Sequence, residues 1–170
     1  MTDEIEVLRV EPITKEHILK TFTCKKSSLA DYLHRHARQN DKNNISKTFV
    51  AVGGENTVQG YYSLSSTSIE FEELPEDITK NTPKYPIPAA LITKLAVDKN
   101  CEGQGLGSSL LIDALQRVLI TSEQLAIKVI LVDAIDEEAK GYYLRFGFIE
   151  LPGHTLKLFL PIETINQLLK

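Results

Sequence analysis

The sequence is poor in cysteine, and this limits the sites that it can build. Its 170 residues include two cysteines, Cys24 and Cys101, and neither belongs to a C-x-x-C pair or has a histidine pattern around it. A structural zinc site needs several such ligands at close spacing. We therefore expect two free thiols and no structural metal.

Long apolar runs are also missing. No stretch reaches the roughly 20 apolar residues of a membrane-spanning helix, and the N-terminus lacks the basic and apolar regions of a signal peptide. We expect a soluble cytoplasmic protein with no membrane association. A chain of 170 residues, 42% of them hydrophobic, fits one domain over residues 1–170 with a single sizeable core.

Positive charge is in the minority. The 19 Lys and Arg residues face 23 Asp and Glu residues, for a formal net charge of −4, which argues against indiscriminate nucleic-acid binding. Six cations nevertheless fall within one short span: Lys25, Lys26, Arg35, Arg38, Lys42 and Lys47. Such a cluster is either a solvated helix face or a local basic face for phosphates, and the sequence leaves both interpretations open.

The most informative stretch runs from Ala89 to Leu111. An apolar strand closes at Val97, three glycines follow at alternate positions from Gly103 to Gly107, and a helix begins at Leu106. The first N–H groups of a helix lack internal partners and lie at the positive end of its dipole, and glycine lets a phosphate approach them closely. The pattern predicts an anion-binding turn; glycines placed only for close packing are the alternative.

Two familiar phosphate-binding turns fit this stretch poorly. A P-loop needs Lys and then Ser or Thr after its last glycine, whereas Gly107 is followed by Ser108, Ser109 and Leu110. A dinucleotide-binding turn has the spacing G-x-G-x-x-G, and the spacing here is G-x-G-x-G.

The remaining elements predict the α/β class, with strands first and then a β-α-β-α-β order, hence a mixed sheet with helices on both faces. Before the glycine-rich stretch, the predicted elements are a strand over Glu6–Ile13, a short helix over Lys15–Phe22, a helix capped by Ser27 or Ser28, a hairpin of Thr48–Val52 and Val58–Ile69, and a long surface loop over Glu70–Pro88. After it, they are a strand over Val129–Ala134, a helix over Asp136–Phe146 with Gly147 as its C-cap, a strand over Leu156–Leu160 and a helix over Ile162–Leu169.

Two segments together resemble the GNAT superfamily of N-acetyltransferases. The run Glu102–Gly107 is similar to the family's acyl-CoA turn, with Glu102 where the family has Gln or Arg. The run Asp133–Phe148 is similar to a second family motif, with Asp136 at its Asn position, Ala139 at its Ala, Tyr142-Tyr143 at its aromatic pair and Gly147-Phe148 at its end. The resemblance implies a mostly antiparallel sheet with a splayed central strand pair.

The resemblance also implies the site residues. Acetyl-CoA is the implied co-substrate, bound by Leu95, Ala96, Val97, Gly103, Gln104, Gly105, Leu106, Gly107, Ser108 and Asp136. Tyr143 is the implied general acid, since a phenol with a pKa near 10 stays protonated at neutral pH and can protonate a thiolate. Adjacent helix residues point about 100° apart, so we expect Tyr142 to pack in the core. No general base stands out, although Glu70 is a candidate.

Further runs narrow the resemblance to the GNAT toxins of bacterial toxin–antitoxin modules. These runs include Tyr32-Leu33, Thr48-Phe49-Val50, Gly60-Tyr61-Tyr62-Ser63-Leu64 and Leu158-Phe159-Leu160-Pro161. The resemblance implies acetylation of the α-amine of aminoacyl-tRNA, which blocks translation, a homodimer and an antitoxin of the ribbon-helix-helix type. A GNAT enzyme for a small amine, a polyamine or a protein N-terminus, or a non-catalytic acyl-CoA-binding module, remains open.

Overall fold

A computed structural model describes residues 9–169 as seven strands, six α-helices and three short 3₁₀ helices. The strands are β1 (Arg9–Pro12), β2 (Lys47–Val52), β3 (Val58–Ile69), β4 (Ile87–Val97), β5 (Val129–Asp133), β6 (Ile149–Glu150) and β7 (Lys157–Pro161). The α-helices are α1 (Ser27–Arg35), α2 (Ala37–Lys42), α3 (Glu76–Thr79), α4 (Leu106–Thr121), α5 (Glu137–Arg145) and α6 (Ile162–Leu168). The 3₁₀ helices are Gly54–Asn56, Phe71–Glu73 and Lys99–Cys101. Within the described residues, no helix is both long enough and apolar enough to cross a membrane.

The strands form a mixed sheet in the hydrogen-bonded order β1-β2-β3-β4-β5-β7-β6. The β4–β5 pair is parallel, whereas β1–β2, β2–β3, β5–β7 and β6–β7 are antiparallel. The predicted mixed and mostly antiparallel α/β sheet is therefore confirmed. The parallel pairing runs from Ala89 opposite Val129 to Ile92 opposite Val132, and β4 continues beyond it to Val97.

The chain divides into two compact units. The first contains the described residues up to Leu64 together with Lys94–Ala114, and the second contains Ser65–Thr93 and the described residues from Leu115 onward. The extent of one domain over residues 1–170 stays a prediction.

The first unit is built around an aromatic and aliphatic core. Tyr61 of β3 is fully buried, its ring meets Phe22 edge-on at 5.7 Å, and its hydroxyl donates to the Leu29 carbonyl at 2.5 Å. Gly60 sits beside it because a Cβ there would lie 2.8 Å from Leu110 Cδ1 of α4 and 3.1 Å from the Ala96 carbonyl of β4. A larger residue at position 60 would therefore have to push the Leu110 side chain aside and crowd the Ala96 carbonyl.

The second unit has its own apolar cluster. Strands alternate their side chains between two faces, so Val129 and Leu131 of β5 point the same way and lie opposite Pro161 and Phe159 of β7. The buried members of the cluster are Ile69, Leu74, Ile87, Ala89, Val129, Leu151 and Phe159.

The prediction of a helix over Lys15–Phe22 is wrong. The backbone of Ile18 is taken up by distant partners, since its N–H donates to the Asn56 carbonyl at 2.9 Å and its carbonyl accepts from the Val58 N–H at 3.1 Å. Arg38 donates to the carbonyls of Thr14 and His17. Backbone groups committed to tertiary hydrogen bonds cannot form a helical ladder.

Other differences are smaller. Helix α1 begins at Ser27, but its N-cap is Lys26, without a side-chain cap hydrogen bond, so neither predicted serine caps it. The predicted loop over Glu70–Pro88 contains a 3₁₀ helix and α3, and strand β6 was not predicted. Strand β1 ends at Pro12 as expected, while the part of the predicted strand before Arg9 lies outside the described residues.

Candidate active site

The turn between β4 and α4 has the backbone form that its glycines permit. Gly103 and Gly105 both have φ of +78°, in the left-handed region that side chains other than glycine adopt at a cost. A Cβ built at either position would have no neighbouring atom within 4 Å. The turn is exposed and opens onto the first turn of α4, where N–H groups lack intrahelical acceptors. This arrangement fits a phosphate that approaches the backbone closely.

Asp98 holds this turn in place, and sequence reasoning missed it. The residue is 6% exposed, and its carboxylate accepts hydrogen bonds from the Thr23 N–H at 3.1 Å and the Asn100 N–H at 2.9 Å. Lys99 N–H also donates to the Thr23 carbonyl at 2.8 Å. An Asp that bonds a backbone N–H two residues ahead is a common turn former, so its position directly after the strand was the available signal.

The predicted acetyl-CoA-binding residues of the first unit lie along one continuous strand, turn and helix. Leu95, Ala96 and Val97 form the end of β4, with Ala96 buried and its neighbours half-buried. Gly103, Gln104 and Gly105 form the exposed turn, and Leu106, Gly107 and Ser108 form the first turn of α4. The Leu106 side chain is buried, so this residue can offer a ligand only its backbone. Glu102, at the family's Gln or Arg position, is exposed.

Asp136 lies in the second unit, directly before α5, as the N-cap of that helix. Its carboxylate accepts a hydrogen bond from the Ala139 N–H at 2.9 Å, the usual geometry of an N-cap. Asn caps helices equally well, so Asp can replace the Asn of the family motif without loss of the cap. A direct part for Asp136 in acetyl-CoA binding stays a prediction.

Tyr143 of α5 is buried against other aromatic rings. Its ring meets Phe148 edge-on at 5.5 Å and Tyr142 at 5.7 Å, and the residue is 6% exposed. Burial raises the pKa of the Tyr143 phenol well above its usual 10, with a smaller contribution from Tyr142. The phenol is therefore a proton donor throughout the physiological pH range. Tyr142 is half-buried and also packs against Phe146 at 5.6 Å.

Glu70, the one candidate for a general base, is occupied in local structure. It is the N-cap of the 3₁₀ helix Phe71–Glu73, where its side chain accepts from the Glu73 N–H and the Glu73 side chain accepts from the Glu70 N–H at 3.2 Å. This reciprocal capping box explains why Glu follows the strand at this position.

Four members of the basic cluster fall into two groups. Arg38 donates to the carbonyls of Thr14 and His17, and Lys47 lies 3.6 Å from Asp41 Oδ1, so both help to hold the first unit together. Arg35 and Lys42 are exposed, at the ends of α1 and α2. Lys94, which also belongs to the first unit, lies 4.8 Å from the centre of the Tyr32 ring.

Comparison with known sequences gives one family and named relatives. Residues 44–150 match the model of the acetyltransferase (GNAT) domain. A tRNA-acetylating toxin of Mycobacterium tuberculosis is 34% identical over 88% of this chain and 89% of its own. A probable toxin TacT of Sinorhizobium fredii is 32% identical over 94% of both chains.

Solved structures agree with this assignment. A tyrosine-to-phenylalanine mutant of KacT superposes with a TM-score of 0.90 at 30% identity, over 95% of this chain and 98% of the other. AtaT complexed with acetyl-methionyl-tRNAfMet gives a TM-score of 0.89 at 29% identity, over 96% and 100%. AtaTR bound with acetyl-CoA gives 0.85 at 30% identity, over 96% and 98%.

Proposed function

Because this chain belongs to the GNAT family of acetyltransferases, we propose that it acetylates the α-amine of aminoacyl-tRNA with acetyl-CoA and thereby blocks translation. The observation that carries the proposal is the exposed turn with left-handed Gly103 and Gly105 between β4 and α4. The tRNA substrate is supported by the M. tuberculosis relative and by the AtaT complex, both named for an acetylated tRNA.

The first unit would bind acetyl-CoA. This co-substrate supplies an activated acetyl thioester. The N–H groups of Gly103 to Ser108 would donate to its phosphates, and the backbone of Leu95 to Val97 would donate to the pantetheine arm and to the acetyl oxygen. An oxyanion donor of this kind contributes about 3 kcal/mol to transition-state stabilisation. Asp98 has a positioning part, because it fixes the turn that presents these donors.

Tyr143 would supply the proton that the departing thiolate takes up. An amide N–C bond forms as the thioester C–S bond breaks, the amine gives up a proton to solvent, and the phenol protonates the thiolate and then regains a proton from solvent, so no proton is consumed overall. The raised pKa of Tyr143 means that the phenol is protonated before the reaction begins. Water can accept the proton of the amine, since an α-amine has a pKa of about 7.7 to 8.0 and is partly neutral at physiological pH.

The exposed cations of the first unit would contact tRNA phosphates. Arg35 and Lys42 fit this part best, because Arg38 and Lys47 are engaged with neighbouring groups. Lys94, and Lys84 of the second unit, would add to the contacts. Such contacts position an RNA without reading its bases, which suits an enzyme whose target is the aminoacyl end.

An antitoxin partner is supported by a similar solved structure, the AtaT mutant toxin bound to the C-terminus of the antitoxin AtaR. The ribbon-helix-helix type of that antitoxin, a homodimer of this chain and a cytoplasmic location remain predictions.

The direct test is acetyl transfer to RNA. The purified protein is incubated with labelled acetyl-CoA and total charged tRNA, and the RNA is then separated from free amines. We expect label on the RNA that mild alkaline deacylation removes, because the acetyl group would sit on an amino acid held by an ester. Uncharged tRNA is the control and should take up no label.

Two results would contradict the proposal in different ways. Release of CoA on a small amine or a peptide, with no label on RNA, would keep the acetyltransferase and replace its acceptor. Binding of acetyl-CoA with no CoA release on any amine would indicate a non-catalytic module.

A further inference from the structure

One charged side chain lies on the strand that leads to the proposed acetyl-binding backbone. Among the 11 residues of β4, Lys94 alone carries a charge, and it directly precedes the backbone of Leu95 to Val97. Lys94 is half-buried and belongs to the first unit, like the three residues that follow it. Because consecutive Cα atoms lie about 3.8 Å apart, the Lys94 side chain starts one residue away from the backbone that would polarise the acetyl group.

The ammonium group of Lys94 is held in a defined position. Its Nζ lies 4.8 Å from the centre of the Tyr32 ring in α1, which is a cation–π contact. Burial of an ammonium group costs free energy, and the face of an aromatic ring offsets part of that cost. Strand residues two apart point to the same face, so Lys94 lies on the face of β4 that carries the buried Ala96.

Tyr32 is itself fixed by its neighbours. Its ring stacks on the buried Tyr61, with centroids 6.4 Å apart and an angle of 14° between the planes. Its hydroxyl accepts a hydrogen bond from Nδ2 of Asn40 in α2 at 3.3 Å. A side chain that is already ordered loses less conformational freedom when it binds a ligand. The Lys94 ammonium group is therefore prepared to bind an anion beside the acetyl-binding backbone.

An aminoacyl-tRNA presents one phosphate close to its amine. Its amino acid is esterified to the ribose of the last nucleotide, and the phosphodiester on the 5′ side of that ribose is the anion nearest to the α-amine. If the amine attacks an acetyl group held by the backbone of Leu95 to Val97, this phosphate lies one ribose away from the strand. The flexible four-carbon stem of a Lys side chain suits that separation, and its ammonium group is a common phosphate ligand.

We infer that Lys94 binds the phosphate of the last nucleotide of the acceptor tRNA, and that Tyr32 is the positioning residue that holds the ammonium group for it. The inference rests on the proposed function. It separates Lys94 from Arg35 and Lys42, which would contact phosphates elsewhere in the tRNA. A contact to the terminal phosphate reads no base, so it suits tRNAs of any sequence. Its effect is to align the α-amine with the thioester.

The test adds that phosphate to a minimal acceptor. The first compound is adenosine whose ribose carries an amide-linked amino acid, the one that the wild-type protein labels best on tRNA. The second compound is extended on its 5′ side by one cytidylate, which adds the phosphodiester. With the wild-type protein we expect a kcat/KM about tenfold higher for the second compound, the effect of one charge-assisted hydrogen bond. Lys94→Ala should remove this gain and leave the kcat/KM of the first compound and the KM for acetyl-CoA close to wild type.

Further variants separate charge, position and ring. Lys94→Arg keeps a cation and should retain most of the gain. Lys15→Ala is the matched control and should retain all of it, because Lys15 is an exposed cation of the same unit in the segment after β1. Tyr32→Leu removes the ring and should lower the gain about two- to fivefold, whereas Tyr32→Phe keeps the ring face and should retain it.

The outcomes distinguish this inference from the proposed function. Both compounds are also measured as inhibitors of aminoacyl-tRNA acetylation, so that a compound that binds without accepting an acetyl group is still detected. If the wild-type protein labels no charged tRNA, the proposed function fails. If it labels tRNA, but the cytidylate improves neither transfer nor inhibition, or Lys94→Ala keeps the gain, the terminal phosphate is bound elsewhere and this inference alone is overturned.

Discussion

The glycine turn of the first unit and Tyr143 of the second unit depend on different parts of the chain, the backbone in one case and a side chain in the other. The turn is exposed and depends on backbone conformation, since Gly103 and Gly105 take left-handed φ values and Asp98 ties down the residues before them. Tyr143 is buried, and its chemistry depends on the rings around a single side chain. A side chain added to the turn would obstruct the backbone groups that the turn exposes. Tyr143, in contrast, can lose its hydroxyl oxygen while its ring keeps the same packing. Changes in the turn should therefore abolish binding, and changes at Tyr143 should abolish turnover alone.

The largest expected effect comes from Gly105→Asp. The side chain would project into the open space over the turn in a strained conformation, and its carboxylate would repel phosphates. We expect the affinity for acetyl-CoA, measured by calorimetric titration, to fall by about 100-fold or more, which corresponds to ~3 kcal/mol. Gly153→Asp is the control, because Gly153 is exposed, has φ of +82° and has equally open surroundings, but belongs to another loop. An equal loss of affinity in both variants would show that strain alone is responsible.

The next effect is that of Tyr143→Phe. Loss of a general acid typically lowers turnover by about 10² to 10⁴-fold, and the ring contacts with Phe148 and Tyr142 would remain. We expect that loss of kcat in the acetyl-transfer assay, with wild-type affinity for acetyl-CoA. Tyr142→Phe serves as the control and should retain most of its turnover.

The pH dependence of kcat also tests the role of Tyr143 as the acid. Burial raises the pKa of Tyr143 above 10, and an acid with a raised pKa stays protonated to higher pH. Deprotonation of this phenol should therefore cause no fall in kcat below about pH 10. A fall near pH 8 that is absent from residual Tyr143→Phe activity would contradict a buried phenol as the acid.

The sequence predicts the features that depend on neighbouring residues and misses those that depend on residues far along the chain. The glycine-rich turn and α4 depend on glycines and apolar periodicity within one stretch, and the structure has both at the predicted positions, while phosphate binding by the turn stays a prediction. The helix expected over Lys15–Phe22 failed because its backbone partners, Arg38 and Val58, lie far along the chain. Asp98 was missed in part because one of the groups that it binds, the Thr23 N–H, lies 75 residues away along the chain.

A moderate effect is expected on the basic face. The double variant Arg35→Glu and Lys42→Glu replaces two exposed cations of the first unit. We expect tRNA binding to weaken about tenfold at physiological salt, and the slope of log K against log salt to decrease by about 2 in magnitude. A pair with the same change in charge, Lys80→Glu with Arg145→Glu in the second unit, is the control. Equal weakening by both pairs would mean that net charge, and not this face, governs the affinity.

The smallest expected effect is on the stability of the fold. It tests the hydrogen bond between Glu11 of β1 and His17 in the segment that follows this strand. The hydrogen bond between Glu11 Oε1 and His17 Nε2, at 2.7 Å, lowers the pKa of Glu11, with a further contribution from the charge of Arg9. A carboxyl with a lowered folded-state pKa stabilises the fold above its unfolded value of about 4.3, and this stabilisation is lost as the pH falls through the folded-state pKa. Glu11→Gln should therefore lower the free energy of unfolding at pH 7 by about 0.5 kcal/mol, and the gap from wild type should close below pH 4. Urea denaturation at both pH values measures this gap, with the exposed Glu16→Gln as the control. A gap that persists unchanged at low pH would assign the effect to lost packing at Glu11, because only the charged hydrogen bond is removed by acid.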